Sequence, residues 1–175
     1  MEFYDIVSET CTFEPEFAER LGFSRIFTLG REILAAGSKG IGNREVPSIA
    51  FGRGEQLFKL VKQGARAVSI TDSYIDRRLL VSIKENGCVL CMAMSTITAS
   101  YGVERSRNIY KMSKLFKAAR KLGIDVAFVS MAKDTNYMNS YIQLLELARL
   151  IGADEQYARQ SISKITAAIG EGEQQ

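Results

Sequence analysis

The chain has 175 residues, of which 46% are hydrophobic and 25% are charged, and its net charge is +3. These proportions are typical of a globular protein, and the length predicts a single domain over residues 1–170 with a frayed tail at 171–175. No apolar run approaches the roughly 20 residues of a membrane-spanning helix, and the first residues do not resemble a secretory signal, so we expect a cytoplasmic protein.

The sequence contains no histidine. Nucleophiles that depend on a neighbouring histidine and metal sites with histidine ligands are therefore excluded within it. Cys88 and Cys91 have the C-x-x-C spacing of a redox motif or half a zinc site, but no second pair of ligands follows. Residues three apart in a strand point to opposite faces, so we interpret both cysteines as packing residues.

Apolar strand-like runs alternate with helical patterns along the chain. In chain order, we predict a strand at 3–7, a helix at 13–21, a strand at 23–29, an irregular glycine-containing loop at 31–44 and a strand at 46–51. A helix at 54–63, a strand at 67–71, a helix at 74–85 and a strand at 88–94 follow. The pattern ends with a long helix at 105–122, a strand at 126–131 and helices at 140–151 and 154–169.

This alternation favours a parallel sheet covered by helices, either as an open doubly wound sheet or as a (β/α) barrel. Open sheets often carry a glycine-rich phosphate loop after the first strand, but residues 8–10 contain no glycine, which favours the barrel. The chain is short compared with the roughly 250 residues of a typical barrel. We therefore predict an α/β fold in the form of an abbreviated or irregular TIM-like (β/α) barrel.

The predicted helix at 105–122 is strongly basic. Seven basic residues and no acidic one occur between Arg105 and Lys121, whereas the rest of the chain sums to −4. At 100° per residue, five of the seven share about a third of the helix circumference, opposite its apolar side: Arg107, Lys111, Lys114, Lys117 and Lys121. A solvated charged face is one interpretation, but unbalanced cations repel one another until an anion binds. We therefore predict that this helix binds nucleic-acid phosphates.

Further charged residues follow the predicted strands. Arg31 and Lys133 are expected to extend the basic surface at the carboxyl ends of the strands. At the same edge, Asp5, Asp72 and Asp134 offer an alternative, a small metal-dependent phosphoesterase that holds Mg²⁺ with carboxylates. The sequence shows no base-stacking motif of the RNA-recognition type.

Several segments resemble the archaeal ribonuclease P protein component 3 family. They are Phe-Tyr-Asp at 3–5, Cys-Val-Leu-Cys-Met-Ala-Met at 88–94, Arg-Ser-Arg-Asn-Ile-Tyr-Lys-Met-Ser-Lys at 105–114, Ala-Ala-Arg-Lys-Leu-Gly-Ile-Asp-Val-Ala-Phe-Val-Ser at 118–130 with Ala-Lys at 132–133, and Leu-Leu-Glu-Leu-Ala-Arg-Leu-Ile-Gly at 144–152. The chain is shorter than typical members of that family.

The resemblance implies a TIM-barrel-like, RNA-binding subunit of the complex that removes the 5′ leader of precursor tRNA. It implies that the RNA catalyses the reaction with Mg²⁺ held on the RNA, so this chain would hold no catalytic residue, metal or cofactor. The implied partners are the ribonuclease P RNA, precursor tRNA and other protein subunits, chiefly a small ferredoxin-like one. The RNA-binding residues that we predict are Arg31, Arg105, Arg107, Lys111, Lys114 and Lys133.

Overall fold

A computed structural model of the chain describes residues 2–30, 34–36, 48–71 and 75–166. The strands in these ranges are β1 (Tyr4–Val7), β2 (Arg25–Thr28), β3 (Leu34–Ala36), β4 (Ser48–Gly52), β5 (Ala67–Ile70), β6 (Val89–Ala93) and β7 (Val126–Val129). The α-helices are α1 (Pro15–Arg20), α2 (Gly54–Lys62), α3 (Arg77–Glu85), α4 (Ser95–Thr98), α5 (Gly102–Leu122), α6 (Tyr141–Leu150) and α7 (Glu155–Ser163). A 3-10 turn follows β7 at Thr135–Tyr137.

The strands form two parallel sheets that are joined in space. β3 to β7 pair in sequence order, and β1 pairs with β2. The amide of Met131 donates to the Ile6 carbonyl at 2.7 Å and the amide of Ser8 donates to the Ala132 carbonyl at 2.9 Å, so β1 lies beside the segment that follows β7. Within the described ranges no pairing joins β2 to β3, and the ring of strands is open there. The predicted abbreviated or irregular barrel is confirmed.

Alternate strand residues pack into two cores, one on each face of the curved sheet. Ile6, Ile49, Val89 and Val129 belong to the inner cluster. The intervening positions, such as Phe128, belong to the outer cluster that the helices cover. Both clusters are apolar because side chains of a strand alternate between its faces, and here both faces are buried. Burial of both faces explains why the strand segments of the sequence are almost continuously apolar.

Three local predictions need correction. The irregular loop predicted at 31–44 contains β3, which pairs in parallel with β4; the surrounding glycines concealed this short apolar strand. The helix predicted from residue 74 begins at Arg77, because the Asp76 side chain accepts a hydrogen bond from the Arg78 amide and caps it. The short helix α4 lies between β6 and α5, where no helix or strand was predicted.

The predicted domain limits stay predictions, since residues 167–175 lie outside the described ranges. No helix in the described part of the chain is both long enough and apolar enough to cross a bilayer.

Candidate nucleic-acid interface

The predicted basic helix is α5, and it starts earlier than its sequence pattern indicated. It runs for 21 residues from Gly102, and its C-cap Gly123 adopts a left-handed conformation with φ of 66° that ends the helix. Phe116 and Ala119 are buried, and Ile109 and Met112 pack against the same outer core. One side of α5 is thus fixed on the sheet, and the opposite side faces solvent.

The exposed side carries a row of cations, which we call the cationic stripe: Arg107, Lys111, Lys114, Lys117 and Lys121. All five are exposed. At a rise of 1.5 Å per residue the row is about 21 Å long. The salt bridges found among the described residues involve cations outside the stripe. Four stripe residues therefore form no salt bridge there: Arg107, Lys114, Lys117 and Lys121. The stripe therefore keeps a concentrated positive charge that suits an extended anion such as a phosphate backbone.

Two basic residues of α5 lie off the stripe. Arg105 is exposed, but two residues before Arg107 it points about 160° away around the helix. Arg120 lies over the Tyr157 ring, with its guanidinium carbon 3.9 Å from the ring centroid, and so it packs α5 against α7. Of the predicted contacts on this helix, Arg107, Lys111 and Lys114 share one surface and Arg105 does not.

Two predicted contacts remain, Lys133 and Arg31. Lys133 is exposed in the loop after β7, and its backbone carbonyl accepts a hydrogen bond from the Thr10 hydroxyl at 3.0 Å. This bond joins the loops after β1 and β7, which fixes the backbone that carries Lys133. Arg31 lies outside the described residues.

A small cavity opens beside the cationic stripe, at the carboxyl ends of β5 and β6. Its volume is about 220 Å³, and its lining includes Ser69, Cys91, Asn108 and Lys111. The Asn108 amide donates a hydrogen bond to the Thr96 carbonyl at 3.1 Å, which links α5 to α4. This contact places the first turns of α5 at the strand edge where barrel proteins commonly bind ligands.

The carboxylates of the alternative enzyme do not form a metal site in the described residues. Asp5 is fully buried, and one of its oxygens accepts hydrogen bonds from the amides of Ile6 at 2.8 Å and Ser130 at 2.6 Å. Asp134 is exposed and caps the 3-10 turn by accepting from the Asn136 amide. Asp72 lies outside the described residues, and no group of three potential ligands occurs within them.

The Asp5 carboxyl has an unusual environment. Its second oxygen has no hydrogen-bond partner among the described residues. Burial raises the pKa of Asp5 to about 6, although hydrogen bonds from Ser130 and Ile6 offset part of that rise. Because Ile6 faces the inner cluster, its neighbour Asp5 points to the other face of the strand, away from the barrel interior. Asp5 is therefore placed to tie β1 to the end of β7.

The two cysteines of the C-x-x-C sequence are packing residues, as predicted. Cys88 belongs to the outer cluster and Cys91 to the inner one, and both thiols are free. Burial raises the pKa of Cys88 to about 11 and that of Cys91 to about 12. Neutral thiols on opposite faces cannot act as a redox pair or bind a metal together.

Exposed apolar residues on α5 and just before it were not predicted. Tyr101, Val103 and Tyr110 are 71%, 69% and 60% exposed. A helical projection places Val103 and Tyr110 within the angular range of the cationic stripe, so the sequence did carry this signal. Val103 precedes the predicted start of the helix at Arg105, and Tyr110 was not assigned to the basic side of the predicted helix.

No protein-family model matches the chain, and no curated protein matches its sequence. Among solved structures, the chain is similar to one in the cryo-EM structure of archaeal ribonuclease P with mature tRNA, with a TM-score of 0.66 and 13% identity over 96% of this chain and 80% of that one. It is also similar to A. niger ochratoxinase, with a TM-score of 0.55 and 15% identity over 73% of this chain. A third similar structure is a Xaa-Pro dipeptidase with bound methionine, with a TM-score of 0.53 and 12% identity over 70% of this chain. This chain covers 31% and 33% of those two chains, respectively. At such low identities, the likeness shows a shared fold.

Proposed function

We propose that this protein is an RNA-binding subunit of ribonuclease P, the ribonucleoprotein that removes the 5′ leader of precursor tRNA. The cationic stripe of α5 is the observation that carries the proposal, because its charge matches a phosphate backbone and its opposite side is held by the core. The fold shared with a chain of archaeal ribonuclease P supports the same assignment.

In this proposal the chain supports the catalytic RNA and does not catalyse the reaction itself. Arg107, Lys111 and Lys114 contact phosphates along one path, and Arg105 contacts phosphate from the other side of α5. Lys133 and Arg31 extend the surface along the strand edge. Such contacts position the RNA and carry no base specificity.

The proposed setting follows from the same assignment. The partners are the ribonuclease P RNA, precursor tRNA and other protein subunits, chiefly a small ferredoxin-like one. Mg²⁺ is held on the RNA, and the complex works in the cytoplasm.

The decisive experiment compares charge reversals at equivalent exposed lysines. Lys111→Glu and Lys114→Glu are expected to weaken binding to ribonuclease P RNA, and to lower the slope of log affinity against log salt by about one per lost phosphate contact. Lys59→Glu on α2 is the matched control, since it changes the net charge equally at another exposed helical site. Equal effects of Lys59→Glu and Lys114→Glu would contradict a specific role for α5.

A second function, a small metal-dependent phosphoesterase, has some support from the fold that the chain shares with ochratoxinase and a Xaa-Pro dipeptidase. The described carboxylates do not fit a bound Mg²⁺, because Asp5 is enclosed behind β1 and Asp134 is engaged as a cap. Hydrolysis of a phosphoester by the purified chain that requires Mg²⁺ and disappears in Asp5→Asn would support this alternative.

A further inference from the structure

Two large apolar side chains interrupt the cationic stripe. Val103 and Tyr110 are seven residues apart, about two helical turns, so they lie above one another on the exposed side of α5. They are 69% and 60% exposed, and Tyr101, just before the helix, is 71% exposed. Single exposed apolar residues are common on protein surfaces. Val103 and Tyr110 lie together among the cations on the exposed side of α5, and this grouping indicates a contact surface.

The geometry around Tyr110 indicates what such a surface would hold. The Lys114 ammonium lies 4.5 Å from the centroid of the Tyr110 ring, so a cation and an aromatic face are presented together. More than half of the tyrosine stays accessible in this arrangement. A ligand that matches both features has a flat π-face and a neighbouring anion, which is the chemistry of a base attached to its phosphate.

We propose that Tyr110 stacks on an unpaired base of bound RNA, while Lys114 and Arg107 hold the flanking phosphates. Val103 extends the apolar surface toward the start of α5. This inference rests on the proposed function and deepens it, because it adds a preference for unpaired nucleotides. A base inside a duplex has both faces covered by its neighbours and does not stack on a side chain.

The first test measures the affinity of the full chain for a short single-stranded RNA and for a blunt duplex of equal length. Tyr110→Ala is expected to weaken single-strand binding by roughly five- to one-hundred-fold, the range for loss of one stacked base. Tyr110→Phe is expected to retain the affinity, because it keeps the ring. The salt dependence of Tyr110→Ala is expected to match that of the wild type, because no phosphate contact is removed.

The second test uses the absence of tryptophan from the sequence. Tyr110→Trp introduces the only tryptophan of the chain, which can be excited at wavelengths where tyrosine does not absorb. Its emission is expected to be quenched on binding the single-stranded RNA and little changed by the duplex. Ile142→Trp on α6 is the matched control, since Ile142 is 68% exposed. Quenching that is equal for both variants, or equal for both RNAs, overturns the proposal.

The two proposals fail in different ways. If Lys114→Glu lowers the salt slope on ribonuclease P RNA while Tyr110→Ala leaves every RNA affinity unchanged, base stacking is wrong and the assigned function stands. If the single-stranded probe quenches Tyr110→Trp but ribonuclease P RNA binds no better than an unrelated folded RNA, base stacking stands and the assigned function is wrong.

Discussion

Replacement of the buried Asp5 by asparagine is expected to change how stability depends on pH. The pKa of Asp5 is raised to about 6 by its complete burial, compared with about 4 in an unfolded chain. At pH values between these two pKa values the folded state binds more protons than the unfolded state. The free energy of unfolding therefore falls as pH rises through this window. Two pKa units correspond to about 3 kcal/mol, which the wild type loses between about pH 4 and pH 7. The amide of the Asp5→Asn variant would keep an acceptor oxygen for the amides of Ile6 and Ser130 without the charge.

The assay is urea unfolding of the wild type and Asp5→Asn at intervals from pH 4 to pH 7.5. We expect the variant to gain stability relative to the wild type as pH rises, by about 3 kcal/mol across the range. Glu19→Gln, at an exposed carboxylate on α1, is the control for a general effect of net charge. Parallel curves for the wild type and Asp5→Asn would refute the argument, because they would mean that the buried carboxyl titrates at its ordinary pKa.

Three further outcomes are expected. The thiols of Cys88 and Cys91 should react with Ellman's reagent at pH 7.5 only after urea is added, since burial raises both pKa values; rapid labelling of the native chain would contradict their placement. Ser140→Ala should lower the free energy of unfolding by about 1 kcal/mol, because Ser140 and Gln143 form a capping box at the start of α6, and Ser24→Ala should change it little. Phe128→Ala should cost about 3–5 kcal/mol by the same measurement, since Phe128 is fully buried between the sheet and α5; a loss below about 1 kcal/mol would mean that this core is loosely packed.

The candidate site was predictable where it depends on helical periodicity. The angles of Arg107, Lys111 and Lys114 follow from the spacing alone, and all three are exposed as predicted. Arg120 shows the limit of that reasoning, because its ring partner Tyr157 lies on another helix. Spacing along one helix carries no information about a neighbour that the fold brings beside it.

The carboxylates illustrate a second limit. The sequence placed Asp5 in the first predicted strand and Asp134 after the sixth, and we expected their side chains to approach each other at one edge of the sheet. In the structure, Asp5 points away from the barrel interior. Successive residues of a strand face opposite sides of the sheet, and Ile6, the next residue, belongs to the inner cluster. Which face is the interior depends on how the sheet curves, and that is settled by pairings between distant segments.

By itself, the sequence determined the alternation of strands and helices, the parallel sheet, the absence of histidine chemistry and the segregation of charge on α5. These properties are local or compositional, so they follow from the order of residues. Only the tertiary structure decided that β1 lies beside the end of β7 through bonds such as Met131 to Ile6, and that the ring is open between β2 and β3 in the described residues. It also decided that Arg120 packs on the Tyr157 ring of α7. Burial and strand closure depend on contacts between residues far apart in the chain, and no local pattern encodes them.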